Sequence, residues 1–136
     1  MQQELTAEMA KRAHALYPTR PIHIEIKPGR ADKTIVPGQH GDFSIALLGS
    51  DDFKVLDVES SSLRFHCATP VRVDIRDING DGKLDLLVTF DMAAVKLNPK
   101  AKKAHLTGWL KNSQAFIGED KIRVVSSLTG EDPSCR

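Results

Sequence analysis

Four oxygen-bearing side chains recur at alternate positions in one short stretch of the sequence, DINGDGKLD, and they suit a hard cation. These residues are Asp77, Asn79, Asp81 and Asp85. Ca²⁺ binds several oxygens at about 2.3–2.6 Å, and calcium loops supply them from positions 1, 3, 5 and 9, with a backbone carbonyl at position 7. Lys83 stands at position 7 and Gly82 at the sharp bend of position 6. We therefore predict a Ca²⁺ site in this loop.

The loop differs from an EF-hand, because Val88 stands at position 12 where an EF-hand has a bidentate Glu. Residues 71–76 alternate between apolar and polar side chains, and residues 84–90 are rich in apolar ones, so both flanks predict strands and not helices. Asp74 and Asp91, on either side of the loop, are candidates for additional contacts with the ion. The alternative is a turn rich in Asx residues that holds no metal. Four oxygen ligands in register, with a glycine at the bend, favour the metal site.

The rest of the sequence predicts a sheet protein with one helix. Strand patterns, most of them bounded by turn residues, indicate an antiparallel, immunoglobulin-like β-sandwich of about seven or eight strands. The loop occurs once, which argues against a propeller with one copy per blade. We predict strands at 22–26, 42–49, 55–58, 61–67, 71–76, 84–90, 104–110 and 121–125, with a short apolar piece at 115–117. A helical stripe at residues 4–17 predicts an extension over 1–20, followed by the sandwich at 21–126 and a flexible tail at 127–136.

Composition and charge fit one soluble-type domain. The chain has 136 residues, of which 40% are hydrophobic and 27% charged, with a formal net charge of +1. That balance gives no overall field for nucleic acid, and no apolar run approaches the roughly 20 residues of a membrane span. Lys96, Lys100, Lys102 and Lys103 form a basic cluster, which we interpret as a solvated loop since no aromatic residues are interleaved. No secretory signal is visible, so we expect either a cytoplasmic protein or a chain whose leader has been removed.

No catalytic arrangement is predicted. The two cysteines, Cys67 and Cys135, form no CxxC pair, and a bridge between them stays open. Cys67 alternates with apolar residues and is interpreted as a small buried hydrophobe. A dyad of His66 and Cys67 is excluded, because neighbouring strand residues point to opposite faces.

Five motifs in order resemble a family of bacterial and archaeal extracellular modules. They are IEIKPG at 24–29, SIALLGSDDF at 44–53, LRF at 63–65, the DINGDGKLDLL loop at 77–87 and LTG at 106–108. The family has an IDIKPG opening, a PVAILGTDDFD strand and turn, an LRFG strand, a DVNGDGLLDL loop and an LTG strand. The resemblance implies a β-sandwich building block of secreted or surface proteins without catalytic activity. The chain departs from the pattern at His66-Cys67, where the family continues with glycine.

These observations together predict a non-catalytic, calcium-binding module with a structural, adhesive or assembly role at the cell surface or outside the cell. A module that binds carbohydrate or protein is one alternative, although aromatic residues are few. A self-assembling filament or coat subunit is another. We expect a protein partner or self-association through the N-terminal helix or a sheet edge, polysaccharide as a further candidate ligand, and neither nucleic acid nor membrane insertion.

Overall fold

Ten short strands dominate the part of the chain that the structure describes, residues 19–125 of a computed structural model. The strands are β1 (Arg20–Ile22), β2 (Ile24–Ile26), β3 (Thr34–Ile35), β4 (Asp42–Leu47), β5 (Arg64–Phe65), β6 (Arg72–Arg76), β7 (Asp85–Asp91), β8 (Lys103–Trp109), β9 (Ala115–Lys121) and β10 (Arg123–Val124). Single turns of 3₁₀ helix occur at Val55–Asp57, Ser60–Ser62 and Met92–Ala94. The predicted helix at 4–17 and tail at 127–136 lie outside the described residues, and residues 19–125 contain no α-helix.

The strands form two four-stranded sheets and one two-stranded sheet. The first sheet has the order β1-β9-β8-β5, the second β2-β4-β7-β6, and the third pairs β10 with β3. The protein is therefore mostly β, as predicted, and the arrangement fits a β-sandwich. The prediction of purely antiparallel pairing was wrong at two places, because β1 runs parallel to β9 and β10 runs parallel to β3.

The core lies between the two larger sheets and is centred on three phenylalanine rings. Phe43 of β4 meets Phe65 of β5 edge to face, with ring centroids 5.5 Å apart. Phe90 of β7 lies 5.7 Å from Phe65. All three are at least 95% buried, and each such side chain contributes about 1.5–3 kcal/mol on burial. Because Phe65 belongs to one sheet and Phe43 and Phe90 to the other, these contacts hold the two layers together.

The segment predicted as one strand at 22–26 divides between the two sheets at His23. β1 pairs with β9 in the first sheet, whereas β2 pairs with β4 in the second. The His23 carbonyl accepts the Leu48 N–H at 3.0 Å. Alternation of apolar residues is the same on both sides of His23, so it could not reveal a change of partner.

Two further strand predictions were wrong in extent. Residues 55–57 form a 3₁₀ turn, and only Val58 makes a bridge, to Leu110. Residues 60–62 also form a 3₁₀ turn, which leaves β5 only two residues long. Conversely, β9 runs from Ala115 to Lys121, well beyond the predicted apolar piece at 115–117.

Two features of the second sheet bring together the parts of the candidate site. Leu47 at the end of β4 lies opposite Leu86 near the start of β7, so the segment that follows β4 meets the segment that precedes β7. Arg76 at the end of β6 lies opposite Asp85, so residues 77–84 form the hairpin loop between β6 and β7. None of the helical turns in residues 19–125 has the length and hydropathy needed to cross a bilayer.

Candidate metal centre

Three carboxylates of the β6–β7 loop converge at the point where β7 begins. Asp77, Asp81 and Asp85 each offer an oxygen, and these oxygens all lie within 4.8 Å of one another. An ion that binds oxygens at about 2.3–2.6 Å spans such a group from its centre. The structure therefore brings together three of the predicted ligands.

Asp85 forms the buried floor of this group, with none of its surface exposed. Its Oδ1 accepts the Gly49 N–H at 2.8 Å, and its Oδ2 accepts the Ile78 N–H at 2.7 Å. Two such hydrogen bonds to a carboxylate fix its orientation. Asp85 thus ties the beginning of the loop to the segment after β4.

Asp77 organises the middle of the loop. Its two oxygens accept the N–H groups of Gly80 and Gly82, each at 2.8 Å. Gly80 and Gly82 have φ of +75° and +83°, a backbone conformation in which a Cβ is strained. The two glycines therefore let the chain curl around the Asp77 carboxylate.

The remaining predicted ligands also form tight turns within the loop. Asn79 Oδ1 accepts the Asp81 N–H at 3.4 Å, and Asp81 Oδ1 accepts the Lys83 N–H at 2.9 Å. The Lys83 ammonium pairs with Asp51 at 3.3 Å. The Lys83 side chain thus pairs with the turn after β4 and not with the loop carboxylates. In residues 19–125 no ion pair joins a cationic side chain to Asp77, Asp81 or Asp85.

The convergence of three like charges has an electrostatic cost. All three oxygens lie within 4.8 Å of one another, and like charges at such distances repel each other. A divalent cation at the centre replaces this repulsion by attraction. The three carboxylates could therefore hold a metal ion.

Asp91 lies far from the carboxylate group. It ends β7, six residues after Asp85, which corresponds to about 20 Å along a strand. Its carboxylate accepts the Ala93 N–H at 3.0 Å and caps a 3₁₀ turn. This distance excludes a contact between Asp91 and an ion in the loop.

Asp74 lies closer to the loop but is engaged elsewhere. It stands opposite Leu87 in the pairing of β6 with β7. Its Oδ2 accepts a hydrogen bond from Arg72 Nε at 3.0 Å, and it is not one of the three converging residues. The structure therefore pairs Asp74 with Arg72.

His66 and Cys67 are the two central residues of a tight turn, and the prediction that they lie along one strand was wrong. Phe65 and Ala68 exchange backbone hydrogen bonds across this turn. The φ values of His66 and Cys67 are +44° and +79°. Both signs are those of a type I′ hairpin turn. Cys67 is disulfide-bonded, so the interpretation of this residue as a simple buried hydrophobe was incomplete. The other cysteine of the sequence, Cys135, lies outside the described residues.

Gly49 and Ile78 are the site residues that the sequence did not indicate. Both act through backbone N–H groups, so their side chains carry no chemical signal. A Cβ on Gly49 would meet the Leu84 carbonyl oxygen at 2.1 Å, so glycine is needed for the close approach of the two segments. A glycine directly after a strand pattern is a weak sign of such an approach, but nothing in the sequence names its partner.

Comparisons of the chain with protein-family models, with curated proteins and with solved structures gave no match. The resemblance to extracellular β-sandwich modules therefore stays a prediction.

Proposed function

We propose that this chain is a non-catalytic, calcium-binding β-sandwich module with a structural, adhesive or assembly role at the cell surface. The observation that carries the proposal is the convergence of Asp77, Asp81 and Asp85 within 4.8 Å, in a loop with the ligand spacing of a calcium site. The Asn79 amide and the Lys83 carbonyl complete the set of protein oxygens by position. Calcium is favoured over magnesium because the site offers mainly protein oxygens, and Mg²⁺ usually keeps several waters.

The role of the ion follows from what the loop joins. β6 and β7 enter and leave the loop, and Asp85 also holds Gly49 after β4. An ion bound there would fix three segments of one sheet at once. Binding to the folded state alone stabilises it by about 2.7 kcal/mol at a free calcium concentration of 100 times the Kd.

The cell-surface setting rests on the Cys67 disulfide. Disulfides persist in oxidising compartments and are rare in the cytosol. Extracellular calcium modules bind the ion at about 10⁻⁴–10⁻³ M, a range in which a structural ion stays bound outside the cell. The immunoglobulin-like form of the sandwich is part of the same proposal. It is supported by the two four-stranded sheets and by the passage of the chain from β1 to β2 between them.

Isothermal titration of the whole chain with CaCl₂ tests the proposal, with MgCl₂ as the matched titration. We expect one calcium site per chain, much weaker binding of Mg²⁺, and a higher melting temperature in millimolar calcium than in EDTA. The variant Asp81→Asn should bind calcium at least about tenfold more weakly, because it removes one charged ligand. If the unaltered chain shows neither heat of binding nor a shift in melting, the calcium function is refuted.

A carbohydrate-binding role is the second candidate, favoured by one exposed ring. Trp109 on β8 is 51% exposed and stands opposite Ala115 on β9, so a small neighbour leaves the indole accessible for stacking on a sugar. Titration of Trp109 fluorescence with polysaccharides tests this candidate. A Trp109 emission spectrum that does not change with any polysaccharide would remove this candidate.

A further inference from the structure

β6 is the longest open sheet edge in the part of the chain that the structure describes. It has five residues and ends the second sheet, whereas the other edge strands of the two larger sheets, β1, β2 and β5, have two or three. All its strand pairing is with β7. Open edges offer unpaired N–H and C=O groups to another strand.

Apolar side chains accompany this open edge. Val73 packs against the core, and Ile75, two residues later on the same face, is 50% exposed. Val71, just before the strand, is 59% exposed. A second strand beside β6 would cover these side chains.

The opposite face of β6 carries alternating charges, and these select the partner. Arg72, Asp74 and Arg76 point outward, as the alternation from Val73 requires. In an antiparallel pair, directly opposite residues lie on the same face of the sheet, and like charges there are destabilising. A partner strand must therefore present charges of complementary order.

A second copy of β6 meets this requirement in one register. If the twofold axis passes through Val73, then Arg72 lies opposite Asp74 of the other copy, and Asp74 opposite its Arg72. The same register places Val71 opposite Ile75. A twofold axis at Asp74 instead sets Asp74 against itself and Arg72 against Arg76, so it opposes like charges at every pair on the charged face.

One other register also pairs opposite charges, but it is poorer on the apolar face. With the axis at Ile75, Asp74 faces Arg76 of the second copy. Val73 would then face Asp77, an apolar side chain against a carboxylate of the loop. The axis at Val73 satisfies both faces.

We propose that two copies of this chain associate through antiparallel pairing of β6 with β6, centred on Val73. The second sheets of the two copies then join into one continuous sheet. A pair of five-residue strands buries less than the roughly 1,600 Å² of a standard interface, so association is weak and depends on concentration. The inference does not rest on ion binding by the loop.

Sedimentation velocity of the whole chain over a wide concentration range tests the proposal, in EDTA and in calcium. We expect a monomer–dimer equilibrium. Asp74→Arg and Arg72→Asp should each weaken the dimer by about tenfold or more, because each change creates two like-charge pairs. The double variant Arg72→Asp/Asp74→Arg should restore association, since the opposite charges then face each other in exchanged places.

Arg76→Asp is the matched control, because in the proposed register Arg76 faces Pro70 and no charge. It should leave the dimer unchanged. The proposal is overturned by a chain that stays monomeric at every concentration, by a dimer that Asp74→Arg does not weaken, or by one that Arg76→Asp weakens more than Arg72→Asp. Circular dichroism of each variant shows whether the fold is intact, and the double variant reports on pairing even if a single variant is destabilised.

Discussion

The Asp85 carboxylate accepts the Gly49 N–H at 2.8 Å, although the two residues are 36 positions apart in the chain. Its other oxygen accepts the Ile78 N–H at 2.7 Å. One buried carboxylate therefore closes the loop upon itself and fastens it to the segment after β4. This contact makes the candidate metal centre part of the fold, because the same side chain belongs to the group of three carboxylates and holds two distant segments together.

Asp85→Asn is expected to destabilise the protein even without calcium. An amide has one acceptor oxygen, so either the Gly49 or the Ile78 N–H loses its partner, at a cost of about 1–3 kcal/mol. Chemical denaturation in EDTA measures this loss.

Asp81→Asn is the matched control for that substitution, because Asp81 is exposed and its carboxylate accepts the Lys83 N–H at 2.9 Å. Its amide oxygen can still accept that bond, and the change relieves repulsion among the carboxylates. Without calcium it should therefore leave stability unchanged or raise it. Equal destabilisation by the two variants would show that Asp85 has no special structural role.

Gly49→Ala should destabilise the protein by about 3 kcal/mol, since an added Cβ would meet the Leu84 carbonyl oxygen at 2.1 Å and force the backbone apart. We expect weaker calcium binding in the same variant, because the displaced N–H no longer orients Asp85. Denaturation and calcium titration measure the two effects.

Gly29→Ala is the control for the glycine at position 49. Gly29 has φ of +83°, but nothing lies within 4 Å of an added Cβ. Its cost should be the backbone strain alone, about 1 kcal/mol, with no change in calcium affinity. A similar loss of affinity in both variants would argue against the Gly49–Asp85 contact as the cause.

The sequence was informative where local spacing decides the structure. The loop from Asp77 to Asp85 could be located because ligand spacing and turn glycines are local properties. The long strands β4, β7 and β8 could be located because their apolar residues form continuous or alternating runs. Strand partners could not be predicted, since the same pattern fits either sheet on both sides of His23.

Contacts between distant segments were also beyond local patterns. The Gly49–Asp85 bond depends on β4 and β7 being neighbours, which no spacing in the sequence states. β9 was predicted too short because Gly118 interrupts its apolar pattern. In the structure that glycine permits close packing, as a Cβ there would meet Ile24 Cγ2 at 2.4 Å, and this explains why a strand interior contains glycine.

Cys67 is held at φ of +79° in a turn that favours glycine at this position. Cys67→Gly and Cys67→Ala both remove the disulfide, but only glycine adopts this backbone conformation without strain. We therefore expect Cys67→Gly to be more stable than Cys67→Ala by about 1 kcal/mol. Thermal denaturation under reducing conditions compares them.

The control for introducing glycine at position 67 is the same change at Ala93, an exposed residue in a 3₁₀ turn whose φ is not positive. Ala93→Gly should lower stability, because glycine gains freedom in the unfolded chain without relieving strain in the folded one. If Cys67→Gly were the less stable of the two Cys67 variants, the positive φ at this turn would be contradicted.

His66 Nε2 accepts the backbone N–H of His105 at 3.0 Å, and only the neutral imidazole can accept at that nitrogen. Burial lowers the pKa of His66 below its ordinary value, and the nearby charge of His105 acts in the same direction. The other groups around it are paired, since His105 Nε2 lies 3.2 Å from Glu119, which also binds Lys103 at 3.0 Å. The turn is thus built on an uncharged His66.

Stability should consequently decrease as the pH falls below about 6.5, the pKa of an unfolded histidine. In that range the unfolded chain binds a proton at His66 that the folded chain does not. The free energy of unfolding therefore keeps decreasing until the pH reaches the lowered pKa of the folded state, and it levels off below that pH. His66→Gln keeps an acceptor without a titrating group and should flatten this part of the profile, whereas His105→Gln should retain most of it. Melting temperatures measured from about pH 7.5 to about pH 5 test this, and a profile unchanged in His66→Gln would assign the pH dependence to other groups.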